Sequence, residues 1–381
     1  MGRAMLSTRR CGFVGSIVLI LVAAVAGMIA ACTCDSVRFH WTVSGTVADR
    51  PVPDAVPWEV ATPEAEGMDP VGLEAAIAEL DSIRSLNSLL IVRHGKLVVE
   101  KYFNGQDASR SYEIASVSKS ILSTLVGIAI DRGHVSGVFA TLQELLPDAF
   151  AGLEPRKQRI TLRDLLTMQA GLIWEPVPPL DLVSMQHVVA DVAGLPITYG
   201  NAGRFNYSTG LPHLASAAIS RATGMSTCEF AWRVLFESLG IAPEVWGRDA
   251  EGVHTGGWFM YFTPRELARF GLLYLQGGEW QGEELVPADW VRSSLSKQAV
   301  FDPYSGYGYW WWISSYWDPQ TFETYEIPSA RGGGGQAIFL VPALDLVMVT
   351  TSDHAYQGTS IRFDAERFLT DVVIPAVQAG S

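Results

Sequence analysis

Ser88-Leu-Leu-Ile-Val-Arg-His-Gly-Lys-Leu-Val-Val-Glu-Lys-Tyr102 reads as a β-hairpin. Two runs rich in Leu, Ile and Val flank His94-Gly95, and extended runs joined by a two-residue turn with Gly predict that motif. Upstream, Leu73 to Leu86 has apolar residues at helical spacing. Downstream, Ile121, Leu122, Leu125, Val126 and Ile128 predict a buried helix over Ser116 to Ile130. From about 136 to 300 the pattern stays helical, most clearly over Leu162 to Met168, Leu211 to Thr223, Cys228 to Leu239 and Pro264 to Leu275. Near Tyr307 the character changes. Tyr307 to Ile313, Phe322 to Ile327, Ala337 to Val341 and Leu346 to Thr351 read as strands, and Ile361 to Val373 as a closing helix. Strands at both ends with helices between them predict an α+β fold. It consists of one antiparallel β-sheet flanked by helices, with an inserted helical subdomain at about 136–300.

The composition narrows the function classes. The chain has 381 residues, 48% hydrophobic and 18% charged, which excludes a disordered polymer. The net charge of −13 offers no basic face for displacing counterions, so no nucleic acid is expected as a partner. Four Cys do not make a disulfide framework in so long a chain. Cys228 has no partner in the body of the protein and reads as a buried apolar thiol. Arg3, Arg9 and Arg10 precede an uncharged stretch from Cys11 to Cys34, apolar from Phe13 to Ala31. Residues 1–34 therefore read as an export signal, a membrane anchor, or both. Met28-Ile-Ala-Ala-Cys32 resembles a bacterial lipobox, which would make Cys32 a lipidated N-terminus; an uncleaved anchor and simple secretion are the other readings. In each case the arginines precede the apolar run, so the rest of the chain is expected outside the cytoplasm. Residues 35–62, with Pro51, Pro53 and Pro57, read as a tether, and 63–380 as the folded domain.

The sequence contains no H-E-x-x-H helix, no G-x-S-x-G elbow and no phosphate loop. No metal or organic cofactor is implied. Ser116-Val-Ser-Lys119 puts a lysine one helical turn after a serine, within reach of its oxygen. Serine needs an adjacent base to act as a nucleophile, and burial among the apolar residues that follow would push a lysine toward its neutral form. Ser294-Leu-Ser-Lys297 has the same spacing but sits in a polar run. A plain reading of Ser116 is a helix-capping serine. The second element is Asn206-Tyr207-Ser-Thr209-Gly210, where Ser208 or Thr209 capping the next helix is the plain reading. The third is Ala330-Arg-Gly-Gly-Gly-Gly-Gln336. It is either a flexible turn or a strand edge without side chains, where a substrate backbone could lie and an N–H could face an oxyanion.

In order and spacing these elements resemble the serine β-lactamase and penicillin-binding DD-peptidase superfamily. The branch most similar holds class C β-lactamases, related esterases and aminohexanoate-oligomer hydrolases. Its motifs S-x-x-K, Y-x-N and K-T-G or H-x-G are met by Ser116-Val-Ser-Lys119, Tyr207-Ser-Thr209 and Gly333-Gly-Gly335. Thr161-Leu-Arg-Asp-Leu-Leu-Thr-Met-Gln-Ala-Gly171, Pro264-Arg-Glu-Leu-Ala-Arg-Phe-Gly271 and Gly306-Tyr-Gly-Tyr-Trp-Trp-Trp312 are similar flanking phrases, and the likeness runs from about 63 to 378. The resemblance implies that Ser116 forms an acyl-enzyme, that Lys119 and Tyr207 share proton transfer, and that the N–H groups of Ser116 and Gln336 form the oxyanion hole. Thr209 departs from the family's Asn and Gly333 from its Lys or His. Catalysis on a small ester or amide is expected to survive, with neutral substrates preferred to β-lactams. Arg331, if it shared a face with Gly333, would offer a substitute handle for a carboxylate. A catalytically silent ligand-binding relative and a true β-lactamase or DD-peptidase are the alternatives.

Overall fold

The computed structural model describes residues 57–173, 187–197, 203–353 and 363–379. The apolar N-terminal run, Cys32 and most of the tether lie outside them. Among the described residues no helix is long and apolar enough to cross a membrane.

The folded part opens with α1 (Pro70–Glu79). Asp69 accepts from the N–H groups of Val71 and Gly72, and Pro70 takes the first position, where no N–H is needed. The expected hairpin follows as β1 (Leu86–Arg93) and β2 (Lys96–Tyr102). After β3 (Tyr112–Glu113) comes α2 (Val117–Asp131), whose residues 117 to 129 are all buried. Such a helix cannot stand at the surface, and it forms the centre of the molecule. The strands at the far end are β6 (Ala299–Val300), β7 (Ser305–Tyr307), β8 (Trp312–Trp317), β9 (Thr324–Gly332), β10 (Gln336–Val341) and β11 (Leu346–Ser352). Before them, β4 (Val245–Trp246) and β5 (Met260–Phe262) pair with β3 in a small separate sheet of order β3-β5-β4.

The main sheet has eight antiparallel strands in the order β2-β1-β11-β10-β9-β8-β7-β6. The first hairpin docks on the last strand, with Leu90 opposite Val349 and Arg93 opposite Leu346. Alternation along the strands then divides two cores. Ile338, Leu340, Val347 and Val349 face α2, which packs in turn on α3 (Gly210–Thr223), and α4 (Pro264–Leu275). Phe339, Val341, Leu346 and Met348 face α1 and the C-terminal helices α5 (Ala365–Phe368) and α6 (Ile374–Ala379). Each such side chain, fully buried, contributes about 1.5–3 kcal/mol.

Three expectations change. The stretch 136–300 is not uniformly a helical insertion, because β4 and β5 lie inside it and α4 lies on the main sheet. A Cβ at Gly271 would come within 2.7 Å of Val347 and 2.8 Å of Ile338, so α4 can approach the sheet only through a glycine. The run Tyr307–Ile313 is not one strand. Trp310 has φ +60, its N–H donates to Leu166 O and its indole to Leu165 O, which pulls residues 308–311 off the sheet. Cys228 is buried but disulfide-bonded, not a free thiol; the chain's other cysteines lie outside the described residues.

Candidate active site

The chain enters α2 through Ala115, whose φ of +48 is a strained conformation for a residue with a side chain. Ser116 follows at the cap position, yet its side chain caps nothing. Its Oγ instead accepts from Lys119 Nζ at 2.7 Å. Lys119 is 1% exposed and donates also to Gly257 O at 3.0 Å. Burial lowers its pKa to about 7, while the Coulombic pull of Glu113 acts the other way. The helical spacing that suggested this pair thus brings it together. The competing pair does not form: Lys297 bonds Ser315 Oγ and Glu326.

Tyr207 approaches the same serine from the stretch before α3. Burial raises the pKa of its hydroxyl, and the nearby Ser116 side chain acts in the opposite direction. Lys119 Nζ lies 5.0 Å from the centre of its ring. The ring stacks on Trp312 at 5.6 Å and meets Tyr307 edge-on at 6.4 Å. The backbone on either side of Tyr207 is fixed by Met168: Asn206 N–H donates to its carbonyl at 2.7 Å and Ser208 N–H to its Sδ at 3.4 Å. Neither Ser208 nor Thr209 caps α3, so the capping reading of this motif is not realised.

Only the first glycine of the run, Gly332, lies in a strand, and Gly333-Gly-Gly335 forms the turn after it. β9 continues through Gly332, and it is Gly332 that lies against the Ser116 turn. A Cβ there would fall 2.5 Å from Ile114 O and 3.0 Å from Ala115 Cβ. Gly333 is already in the turn, where Gly334 and Gly335 have φ of +87 and +106. Gln336 opens β10, one strand further on, opposite Gly332. Its amide is committed to Ser352, donating from Nε2 to the carbonyl and accepting from the N–H. Gly332 is thus the strand residue whose backbone packs against Ile114 and Ala115, just before Ser116.

Arg331 must also be removed from the site. Alternation puts it on the opposite face of β9 from Gly332. There it makes two 2.7 Å bonds to Glu366 and lies 5.3 Å from the centre of the Phe339 ring, partly exposed at the edge of the C-terminal helices. The expected shared face with Gly333 fails because the strand ends at Gly332.

Two residues of the site went unread in the sequence. Gly257 supplies the carbonyl that holds Lys119, and a Cβ on it would lie 2.9 Å from Nζ. Its neighbour Gly256 packs so tightly that a Cβ would lie 2.1 Å from Pro212 O. The Gly256-Gly257 pair was the available signal for close backbone approach. Glu113, the charge acting on Lys119, carried no signal.

A serine hydroxyl held by a buried lysine that deprotonates near neutrality, with a tyrosine beside the pair, can attack a carbonyl carbon and pass the proton on. Known proteins share the sequence pattern and the fold. The sequence pattern of the family described as Beta-lactamase matches residues 73–368. The 6-aminohexanoate-dimer hydrolase of Paenarthrobacter ureafaciens is 25% identical over 295 residues, covering 70% of this chain and 72% of that one. The class C beta lactamase of Rhodobacter sphaeroides superposes with a TM-score of 0.56 at 18% identity, covering 76% and 94% of the two chains. EstCE1, a hydrolase with promiscuous acyltransferase activity, gives a TM-score of 0.63 at 15% identity, covering 81% and 97%.

Proposed function

The chain belongs to the β-lactamase family of hydrolases, and we propose that within it the protein cleaves esters or small amides through an acyl-enzyme on Ser116. The observation that carries this reading is the 2.7 Å contact between Ser116 Oγ and a buried Lys119 whose pKa is lowered to about 7. Neutral Lys119 takes the Ser116 proton as Oγ bonds to the carbonyl carbon. The Ser116 N–H and the amides at the end of β9, beside Gly332, face the oxygen that gains charge. As the bond to the leaving group breaks, the proton passes to the departing oxygen or nitrogen, with Tyr207 as the relay. Water then attacks the acyl carbon, its proton returns along the same path, and Ser116 is released.

The substrate class follows from what the described residues of the site lack. A β-lactam presents a carboxylate beside its ring. Arg331 is tied to Glu366 on the far face of the sheet, and the strand edge beside Ser116 ends in glycine. Neutral esters and small amides suit such a site. The named relatives, an aminohexanoate-dimer hydrolase and the hydrolase EstCE1, support this direction. The test compares short-chain p-nitrophenyl esters with a chromogenic cephalosporin on one purified sample. Ester kcat/KM is expected to exceed cephalosporin kcat/KM, with both lost in Ser116→Ala. Equal or faster cephalosporin turnover would overturn the preference, and no turnover of either by a folded sample would favour a silent binding protein.

A further inference from the structure

Lys119 is held by a carbonyl that belongs to a strained turn. Gly257 O is that carbonyl, and two residues later Phe259 has φ +59. A residue with a side chain keeps that conformation only when its surroundings impose it. Three contacts impose it here. Phe259 O accepts from Gly247 N–H at 2.8 Å. The Phe259 ring lies where a Cβ on Gly247 would be, 2.2 Å away. Phe259 N–H donates to Glu113 Oε1 at 2.8 Å. Glu113 lies on β3, opposite Tyr261 of β5, three residues before Ser116. One carboxylate thus ties the turn behind Lys119 to the segment that delivers the nucleophile.

We propose that Glu113 is a positioning residue for the Ser116–Lys119 pair, fixing the turn that presents Gly257 O. The inference rests on the reading of Ser116 and Lys119 given above. Other titratable groups around Lys119 do not compete with Glu113. Tyr207, on the α3 side, and Tyr261, on β5, have pKa values raised by burial and stay neutral. His213 of α3 tilts over the Trp258 ring at 5.8 Å, and its Nε2 is 2.9 Å from Asp249, which keeps that carboxylate engaged. The charge acting on the Lys119 ammonium is that of Glu113.

The two roles separate by substitution. Glu113→Gln keeps an oxygen that accepts from Phe259 N–H and removes the charge. Glu113→Ala removes both. The direct readout is the NMR titration of ε-¹³C-labelled lysine, with the Lys119 signal assigned by its loss in Lys119→Met. The second readout is the pH profile of p-nitrophenyl ester hydrolysis. Without the carboxylate the ammonium is less favoured. In Glu113→Gln the Lys119 midpoint and the acid limb of kcat/KM are therefore both expected at lower pH than in the wild type. The plateau rate of Glu113→Gln should exceed that of Glu113→Ala by roughly tenfold or more, because a displaced catalytic group costs rate steeply. An unchanged or raised midpoint in Glu113→Gln would overturn the proposal, as would equal plateaus for the two variants. If Glu113→Ala does not fold, the Gln titration decides alone. Absence of ester turnover in the wild type would sink the hydrolase reading, while the lysine titration would still judge Glu113.

Discussion

Lys119 sits in a closed setting, bonded to one hydroxyl and one carbonyl. Its burial sets a direction for two measurements. With the folded pKa lowered to about 7, the ammonium dominates below neutrality and cannot accept the Ser116 proton. Ester kcat/KM should then fall on the acid side with a midpoint near pH 7, by about tenfold for each further unit. Stability moves the same way. Between about 7 and the ordinary 10.5 the unfolded chain binds more protons at this site than the folded one, so this group's contribution to stability rises with pH through that window. Lys119→Ala should slow acylation by roughly 10²–10⁴-fold. An acid limb absent between pH 5 and 8, or a near-wild-type rate in Lys119→Ala, would take the lysine out of the mechanism.

At the scale of elements, the site depends on how closely β9 approaches the turn into α2. Gly332 is the contact, and the atom that a Cβ would strike is a backbone oxygen that no rotamer change can move. Gly332→Ala should therefore shift either the strand or the Ser116 turn. A displacement of about 1 Å costs on the order of 10²-fold in rate, and a fall in Tm should accompany it. Retention of both full ester activity and wild-type Tm would show that the edge is not set by this contact. The sequence revealed the elements here but not their register. The hairpin at residues 88–102, the start of α2 and the limits of α4 follow from apolar periodicity, which is a local property. Four consecutive glycines have no side chains to alternate, so nothing in Gly332 to Gly335 marks where the strand ends. The expectation that Arg331 shared a face with Gly333 came from there.

In the whole molecule, the hairpin from one end of the chain and the strands from the other close a single sheet, and α2 carries Ser116 and Lys119 into the core above it. The site gathers the start of α2, the stretch before α3, the turn at Gly257 and the end of β9. What was legible is what lies close in sequence, Ser116 with Lys119, and the order of the three motifs along the chain. Gly257 was marked only by the Gly256-Gly257 pair, and Glu113 not at all. Gly257 lies 138 residues beyond Lys119 and meets it only because Gly256 lets its loop press onto α3. Glu113 acts through a backbone N–H of that same loop, and no spacing rule encodes such a contact. The central claim, a covalent acyl-enzyme on Ser116, can be read directly by mass. The wild-type protein is mixed with a slow p-nitrophenyl ester, quenched in acid during turnover and digested. The account predicts one acyl group on the peptide containing Ser116, appearing with the nitrophenol burst and missing in Ser116→Ala. Steady ester turnover with no adduct, or an adduct on another residue that persists in Ser116→Ala, would contradict it.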